Sequence, residues 1–259
     1  MQLQLNMKQE INSNIAKSLP WFKTWFNSPY YHSLYKHRND EEARKFIDAL
    51  LCELRPAQGS SMLDVGCGNG RHSKYLAAQG FSVTGFDTAS ASLRQAQKSQ
   101  SPTLTFFRHD MRLPFGENRF DYVLNFFTSF GYFSSSENLS VLQNMHLGLR
   151  VGGKLVIDYL NVDFAINNLV ESEEKEIDGI NYSIRRWHDK DFIYKKISID
   201  DVNLSAPLHY TEQVSKLRIH DFENLFHRVG LKLETQYGDY QLGTYRQTLS
   251  RRLIMIATK

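Results

Sequence analysis

Along residues 62–159 of this chain, segments with two different patterns of apolar and polar positions follow one another in turn. Short apolar runs, typical of buried strands, alternate with segments whose apolar residues recur three and four positions apart, as on one face of a helix. The strands are predicted at Met62–Val65, Phe81–Phe86, Leu104–Phe107, Phe120–Phe126 and Lys154–Tyr159, and the helices at Arg71–Gln79, Ser90–Ser99 and Glu137–Arg150. This alternation predicts a parallel sheet with right-handed crossover connections.

The alternation stops on both sides of this region. Residues 20–38 crowd aromatic side chains together, and a helix is predicted to begin at Asn39–Glu42. Residues 171–218 hold short runs with period two, separated by turn residues, which predict antiparallel strands inserted at the carboxyl edge of the sheet. The remaining elements are a helix at His220–Val229 and an antiparallel edge pair of strands at Leu231–Gln236 and Leu253–Ala257.

These elements together predict an α/β fold. It is a doubly wound, Rossmann-like, seven-stranded and mostly parallel sheet with an antiparallel β insertion over its carboxyl edge. We divide the chain into an N-terminal aromatic helical cap, residues 1–44, and a main domain, residues 45–259, that contains the insertion at about residues 171–218. A chain of 259 residues can bury a full core and suits one such domain better than two independent ones.

Composition narrows the class without identifying a partner. The 41% hydrophobic and 23% charged residues are typical of a globular protein, and the net charge of +3 neither requires nor excludes a nucleic acid. The two cysteines, Cys52 and Cys67, do not suggest a disulfide scaffold, which fits a reducing cytoplasm. The chain has no apolar run near the roughly 20 residues of a membrane span, and its first residues lack the apolar core of a signal peptide. We therefore expect a cytoplasmic protein with no membrane partner.

The run Leu63–Gly70 is the most informative segment. It reads L-D-V-G-C-G-N-G, so a strand that carries Asp64 near its end is followed by three alternating glycines and then by a helix. Glycines let the backbone approach a nucleoside-containing ligand at the carboxyl end of a strand. Arg71 stands where the last glycine of a dinucleotide fingerprint would be, and the G-K-[ST] ending of a phosphate-binding loop is absent from this run.

This run resembles motif I of the class I S-adenosylmethionine (SAM) dependent methyltransferases, in the form D-V-G-C-G-x-G. Three later segments, Phe120–Leu124, Leu149–Leu155 and Ser250–Ile254, resemble later motifs of the family, in order and at suitable spacing. The resemblance covers about residues 45–160 and 218–259, and is to members with methyltransferase domains 25 and 11 that act on small molecules. It implies SAM as the cofactor, released as S-adenosylhomocysteine (SAH).

The residue types suggest how SAM is held. Backbone N–H groups at the start of the helix after Gly70 favour the carboxylate of its amino-acid tail, and Asp64 can offset the ammonium group. Asp87, at the end of the second strand, can accept both ribose hydroxyls, although it also suits an N-cap of the next helix. The predicted cofactor-binding residues are Asp64, Gly66, Cys67, Gly68, Asn69, Gly70, Asp87, Thr88, Asp110, Met111, Asn125, Phe126, Tyr31 and Arg38.

The resemblance implies roles for residues that follow the third and fourth strands. Asp110 would accept a hydrogen bond from the adenine amino group, and the backbone of Met111 would contact the ring. Asn125 and Phe126 would present their backbone to the sulfonium side of the ligand, although both also fit simple core packing.

The resemblance also implies a role for the aromatic N-terminal segment. In a subgroup of the family such a segment folds over the cofactor, which would place Tyr31 over the site and bring Arg38 towards the SAM carboxylate. The alternative is that the cluster only packs an N-terminal helix on the sheet.

The residues that bind the methyl acceptor are harder to predict from the sequence. The methyl donor is already activated, so the reaction requires orientation of the acceptor more than a catalytic group. Tyr132 and His209 are the candidate catalytic residues, as a base or in positioning the acceptor, although a lone histidine is more often structural. The predicted walls of the acceptor pocket are Thr128–Phe133, the loop after Tyr159, Trp187, His188 and His209. We predict no metal site, while Asp158 and Asp163 leave a metal-dependent reaction open.

Several acceptor classes are disfavoured by motifs that the chain lacks. Asn125–Thr128 stands where amino-methylating enzymes for adenine, cytosine and glutamine carry [DNS]-P-P-[YFW], neither cysteine is placed to attack a pyrimidine, and no basic stripe suggests a nucleic-acid groove. We predict SAM-dependent methyl transfer to an oxygen or nitrogen of a small molecule, by a monomer or homodimer. The alternatives are a SAM- or SAH-binding sensor or scaffold without turnover, and an RNA or protein methyltransferase.

Overall fold

The computed structural model of the chain describes residues 20–36 and 40–259. Residues 1–19 of the predicted cap and the candidate ligand Arg38 lie outside these ranges. The strands are β1 (Ser61–Val65), β2 (Ser82–Asp87), β3 (Leu104–Arg108), β4 (Phe120–Asn125), β5 (Leu149–Leu160), β6 (Ser172–Ile177), β7 (Ile180–His188), β8 (Phe192–Asp200), β9 (Leu208–Ser215), β10 (Lys232–Tyr237) and β11 (Arg252–Thr258). β5 is longer than predicted, because an irregularity in its pairing with β4 lets Leu149 pair with Phe120.

The helices begin and end close to the predicted positions. They are α1 (Trp21–Trp25), α2 (Pro29–Leu34), α3 (Asp40–Leu54), α4 (Arg71–Ala78), α5 (Ser90–Ala96), α6 (Ser135–Gly148), α7 (Val162–Asn167) and α8 (Ile219–Val229). Ser134 and Glu137 form a reciprocal capping box that starts α6. The predicted boundary at residue 44 falls within α3. Within residues 20–36 and 40–259, no helix has the length and apolarity that crossing a bilayer requires.

The larger sheet confirms the predicted α/β architecture. Its strand order is β10-β11-β5-β4-β1-β2-β3, and neighbouring strands are parallel except on the two sides of β11. The chain runs outward from β1 to β3 and then returns to β4 on the other side of β1. The crevice at the carboxyl ends of β1 and β4 is therefore a topological switch point, where open α/β sheets bind their ligands.

Helices cover both faces of this sheet, so strand β1 is buried on both sides and is mostly apolar. Met62, Leu63 and Val65 of β1 are each at most 1% exposed. One apolar layer joins the sheet to α3, α4 and α5, and the other joins it to α6 and α8. A strand buried on both faces reads as a nearly continuous apolar run, which is why β1 was visible in the sequence.

The insertion forms a second sheet, antiparallel as predicted, in the order β6-β7-β8-β9. Its inner face buries Tyr182, Ile184, Ile197 and Ile199. Trp25 of α1 and Leu34 of α2 complete this apolar layer, whereas Phe22 of α1 packs into the core of the larger sheet. The aromatic N-terminal segment therefore joins the insertion to the main domain.

Candidate functional site

A cavity of about 480 Å³ opens at the switch point. On one side it is lined by strand ends and by the glycine loop, residues 66–70, and on the other by α1, α2 and β9. A smaller cleft of about 40 Å³ adjoins it near the ends of β2 and β3 and shares Phe26, Asp87 and Tyr132 with it. The two spaces form one elongated site along the carboxyl edge of the sheet.

The glycine loop needs its glycines for different reasons. Gly66, Gly68 and Gly70 all have left-handed backbone conformations, with φ of 76°, 56° and 77°. A Cβ on Gly66 would lie 2.9 Å from the Cβ of Ser129, and one on Gly70 would lie 2.6 Å from the ring of Phe106. A Cβ on Gly68 would meet no atom within 4 Å. Gly66 and Gly70 are thus required by packing, and Gly68 alone among the three leaves open space beside the loop.

Asp64 lies beneath this loop and is 1% exposed. Its Oδ2 accepts a hydrogen bond of 2.5 Å from the Ser73 hydroxyl. Burial, which outweighs the Ser73 hydrogen bond and adds to the effect of the nearby Asp87 charge, raises the pKa of Asp64 to about 6. A cation beside Asp64 would therefore shift its protonation near neutral pH.

Asp87 holds the loop from the end of β2. Its Oδ2 accepts from the Gly68 N–H at 2.9 Å and its Oδ1 from the Ala89 N–H at 2.8 Å. The N-cap residue of α5 is Ala89 and not Asp87, so capping alone does not account for the carboxylate. Burial raises the pKa of Asp87, against the backbone hydrogen bonds that lower it. A carboxylate has further lone pairs, and this one lines both spaces of the site.

The smaller cleft contains the residues that follow β2 and β3. Thr88, Asp110 and Met111 line it, as do the rings of Phe22 and Phe133. A mostly apolar cleft with two carboxylates at its edge, those of Asp87 and Asp110, suits a flat heteroaromatic ring that has polar atoms on its rim.

Arg112 already engages the Asp110 carboxylate. It donates to Oδ1 at 3.0 Å and to Oδ2 at 2.8 Å, and also to Glu137 at 2.7 Å. These hydrogen bonds from Arg112 outweigh partial burial and lower the pKa of Asp110. Asp110 is therefore an ionised carboxylate whose charge is balanced by Arg112. The sequence did not predict this ion pair.

The two candidates at the end of β4 differ in position. Phe126 lines the cavity, whereas Asn125 is fully buried and does not. The Asn125 amide donates to the carbonyl of Val65 at 2.8 Å, which ties the ends of β4 and β1 together. Asn125 thus shapes the switch point from behind.

The turn after β4 is strained. Phe127 and Thr128 have positive φ, 57° and 56°, which is rare for a side chain branched at Cβ such as that of Thr128. Both N–H groups donate to Asp158, that of Phe127 to the carboxylate at 2.8 Å and that of Thr128 to the carbonyl at 2.9 Å. Arg252 donates to Asp158 at 2.6 Å and to the Thr128 hydroxyl at 2.9 Å. A buried ion pair therefore holds the turn that lines the cavity.

Asp158 and Asp163 each form an ion pair with a different arginine. Asp158 pairs with Arg252, while Asp163 pairs with Arg218 at 2.8 Å. In the described part of the chain, no three His, Cys, Asp or Glu groups come together as a metal site.

The insertion contributes to the cavity through residues other than those predicted. His209 does not line it: the ring faces the Ser198 hydroxyl at 2.9 Å on the exposed side of the sheet. Trp187 is 42% exposed and stacks on Tyr194, and His188 is exposed as well. These three predicted wall positions are wrong. Successive residues of a strand face opposite ways, and the wall of the cavity instead carries Glu212 and Val214 of β9.

Tyr132, a candidate catalytic residue, and Tyr31, a predicted cofactor-binding residue, both line the cavity. Burial, followed by the neighbouring Tyr31 and Glu212, holds the pKa of Tyr132 well above its usual range. The phenol is therefore protonated at neutral pH and can donate a hydrogen bond, but it is poorly suited to be a base.

Arg71 is a further residue whose role the sequence reasoning missed. In the sequence, Arg71 stands where a dinucleotide-binding pattern has its last glycine, and its side chain lines the cavity beside the loop. Its guanidinium lies 3.2 Å from Glu42 and 5.5 Å from the centre of the Phe127 ring. As the first residue of α4, it adds positive charge where the helix N-terminus already favours an anion.

Residues 62–153 match a protein family described as "Methyltransferase domain". The chain is 32% identical over 171 residues to a tRNA U34 carboxymethyltransferase of Haemophilus influenzae, covering 63% of this chain and 50% of that protein. It is 29% identical over 130 residues to a dTDP-3-amino-3,4,6-trideoxy-alpha-D-glucopyranose N,N-dimethyltransferase of Streptomyces venezuelae, covering 49% and 54%. The chain thus spans about half the length of the curated relatives it matches.

Solved structures resemble nearly the whole chain. An S-adenosylmethionine-dependent methyltransferase from Clostridium acetobutylicum superposes with a TM-score of 0.74 at 16% identity, covering 88% of this chain and 96% of that one. The SAM-bound amino pentose methyltransferase CalS10 from Micromonospora echinaspora gives 0.66 at 20% identity, covering 89% and 97%. At these identities the likeness establishes the fold.

Proposed function

We propose that the chain transfers a methyl group from SAM to an oxygen or nitrogen of a small molecule. Residues 62–153 match a methyltransferase domain, and the fold is that of SAM-dependent methyltransferases. One observation carries the proposal. A single cavity runs from the glycine loop at the switch point to an aromatic cover on the opposite side. The donor and the reactive part of an acceptor can therefore share one cavity.

The residues of the cavity fit SAM. Its amino-acid tail belongs at the glycine loop, with the carboxylate towards Arg71 and the ammonium towards Asp64. Its ribose belongs at Asp87, and its adenine in the cleft with Asp110 and Met111. When bound, SAM supplies an activated methyl group, so this chain has to orient the acceptor and exclude water.

The size and cover of the cavity support a small acceptor. A volume of about 480 Å³ lies within the range of pockets that enclose small ligands. Trp21, Phe26 and Tyr31 cover one side, and neighbouring rings in this group pack edge to face at 5.6 Å and 5.0 Å between centroids. A polymer would have to displace this packed cover to reach the glycine loop.

An RNA acceptor is the second candidate, and one surface favours it. On the outer face of the insertion, Trp187 stacks on Tyr194 at 5.2 Å, and the next cross-strand pair on that face is Arg185 with Lys196. An exposed aromatic pair beside cations can bind single-stranded bases. The tRNA-modifying relative from Haemophilus influenzae adds to this reading.

The test compares acceptors directly. Purified protein with SAM is incubated with a pool of small amines and alcohols, with bulk tRNA, or alone, and SAH release is measured. We expect release with the small-molecule pool above the background without acceptor. Release with tRNA only would replace our proposal by the RNA reading. SAM binding by calorimetry without release from any pool would favour a sensor or scaffold.

Gly68→Ala and Gly70→Ala form a matched pair that tests where the cofactor lies. Both substitutions carry the cost of a left-handed alanine, about 1–2 kcal/mol. The methyl group of Gly70→Ala also meets the Phe106 ring, so this variant should lose about 1–3 kcal/mol more of its unfolding free energy. The methyl group of Gly68→Ala points into open space, so it should weaken SAH binding about tenfold or more while the fold persists. Thermal unfolding and calorimetry separate the two effects, and unchanged SAH binding by Gly68→Ala would contradict the loop assignment.

Asp64 predicts how SAM affinity depends on pH. The SAM ammonium favours the ionised carboxylate, and the pKa of Asp64 in the unliganded protein is raised to about 6 by burial. Above pH 6 the carboxylate is already ionised, whereas below pH 6 binding must release its proton. The dissociation constant should therefore rise about tenfold for each pH unit below 6.

Calorimetry at pH 7 and pH 5, in buffers of different ionisation enthalpy, measures both the affinity and the protons released. Asp64→Asn has no proton to release at this position, so its profile should be flatter. Parallel profiles for the two proteins would assign the titration to another group, of which Asp87 is the nearest candidate.

A further inference from the structure

Glu212 of β9 is the carboxylate that the insertion brings to the cavity. Its Oε1 accepts from the Trp25 indole N–H at 2.7 Å and from the Tyr35 hydroxyl at 3.0 Å. Its Oε2 lies 3.4 Å from the Tyr35 hydroxyl and 4.0 Å from Lys195 Nζ, and the side chain is 17% exposed. Oε1 is thus satisfied by the cap, and Oε2 has the weaker contacts.

A continuous series of aromatic rings leads to this carboxylate. The ring centroids of Tyr132 and Phe26 are 5.7 Å apart, those of Phe26 and Tyr31 5.0 Å, and those of Tyr31 and Tyr35 5.0 Å. All four residues line the cavity. We call them, with Glu212, the aromatic wall. Ring faces attract cations, and a carboxylate at their edge adds a full charge.

The aromatic wall already contacts one cation. Lys195 Nζ lies 4.6 Å from the centre of the Tyr35 ring and donates to the Tyr35 hydroxyl at 2.6 Å. Lys195 itself is not among the residues that line the cavity. Burial lowers the pKa of this lysine, against the charge of Glu212. The lysine therefore contacts the wall from outside the cavity, whereas Glu212 itself lines the cavity.

The other charged side chains that line the cavity form ion pairs with neighbouring residues or are proposed to bind the cofactor. Arg252 pairs with Asp158 at 2.6 Å, and Lys36 pairs with Asp178 at 2.7 Å. Asp64 and Asp87 lie at the glycine loop. Among the described lining residues, Glu212 is therefore the carboxylate that faces the acceptor side.

We propose that the acceptor is an aliphatic amine whose ammonium group binds to Glu212 Oε2 against the rings of Tyr31 and Tyr35. Before transfer the ammonium passes one proton to Glu212 Oε2, and the neutral nitrogen then attacks the methyl carbon. The C–N bond forms as the C–S bond breaks, the electron pair stays on the sulfur of SAH, and the product leaves as a methylated ammonium while Glu212 returns its proton to solvent. This inference rests on the proposed methyltransferase function and narrows its acceptor from oxygen or nitrogen to an amine. A neutral alcohol of the same shape lacks the charge that both the carboxylate and the ring faces attract.

The test uses two probes of equal shape, cyclohexylamine, which is cationic at neutral pH, and cyclohexanol. Each is titrated into the protein with saturating SAH, and binding is followed by tryptophan fluorescence, since Trp25 contacts Glu212. Wild-type protein should bind the amine at least about tenfold more tightly than the alcohol. Glu212→Gln should lose about 10- to 100-fold in amine affinity and leave alcohol affinity unchanged. Because glutamine keeps an oxygen for the Trp25 N–H, its unfolding temperature should change little.

Two further variants separate ligand binding from a purely structural role. Glu176→Gln removes an exposed carboxylate from the same inserted sheet and should match wild type. Lys195→Met removes the resident cation and should bind the amine about threefold to tenfold more tightly, which a structural role for Glu212 does not predict. Equal wild-type affinity for both probes, or an amine preference that survives in Glu212→Gln, would overturn the inference. Failure of SAH itself to bind would instead refute the proposed function.

Discussion

Replacement of Asp87 by alanine is expected to weaken SAM and SAH binding by about two to four orders of magnitude. In the proposed function this carboxylate accepts both ribose hydroxyls, and each hydrogen bond to a charged group contributes about 1.5–3 kcal/mol. A factor of ten corresponds to about 1.4 kcal/mol. The same carboxylate accepts from the N–H groups of Gly68 and Ala89, so its loss also releases the loop that receives the amino-acid tail.

Calorimetric titration with SAH measures this effect without requiring a known acceptor. Asp87→Asn should lie between wild type and Asp87→Ala, because one side-chain oxygen remains to accept a hydrogen bond. Asp200→Ala removes an exposed aspartate at the end of β8 and serves as the matched control. An SAH dissociation constant for Asp87→Ala within about threefold of wild type would mean that the ribose lies elsewhere.

The conformation of the glycine loop and its place at a strand end could be predicted from the sequence, because their determinants are local. An apolar run in the sequence indicates a buried strand, and glycines indicate loop positions with left-handed backbone conformation. The residue at the end of the strand can then be identified from its position in the sequence. Asp87 and Gly68 come from different strand ends, yet the parallel order of β1 and β2 brings them into hydrogen-bond contact. Consecutive strands of an alternating pattern are usually neighbours in the sheet, so the pattern was sufficient to place β1 beside β2.

The residues that β9 contributes to the cavity wall could not be predicted, because they depend on the register of the inserted sheet. His209 and Glu212 belong to the same strand, but they are three positions apart and therefore face opposite sides. A prediction that places β9 near the cavity without its register cannot choose between them. The pairing of Lys195 with Glu212 across β8 and β9 fixes that register, and it is visible only in the folded chain.

The ion pair behind the cavity escaped prediction for a related reason. Arg252 was assigned to a closing motif and Asp158 to a metal-dependent alternative, since nothing local connects them. Antiparallel pairing of β11 with β5 brings them together, with Ile254 opposite Asp158 in the ladder. Their joint role is to hold the left-handed turn at Phe127 and Thr128, whose strain is likewise a property of the folded state.

Replacement of Arg252 by methionine is therefore expected to lower the free energy of unfolding by about 3–5 kcal/mol. The substitution leaves Asp158, which is 1% exposed, as a buried carboxylate without its cation. The turn also loses the hydrogen bond from Arg252 to the Thr128 hydroxyl. In thermal unfolding the midpoint should fall by roughly 6–20 °C, given about 2–4 °C for each kcal/mol in a chain of this size.

Two comparisons assign this loss to the buried pair. Arg218→Met breaks a pair of nearly the same length, 2.8 Å to Asp163, but Arg218 is 36% exposed, so this variant should lose less than about 1 kcal/mol. The double variant Arg252→Met with Asp158→Asn removes the stranded charge, keeps an acceptor for the Phe127 N–H, and should recover much of the stability. Equal losses for the two arginine variants, or no recovery in the double variant, would show that Arg252 acts through packing and not through its charge. Recovery would show that the loss in Arg252→Met comes from the stranded charge of Asp158, and that an uncharged acceptor at residue 158 is enough to hold the strained turn.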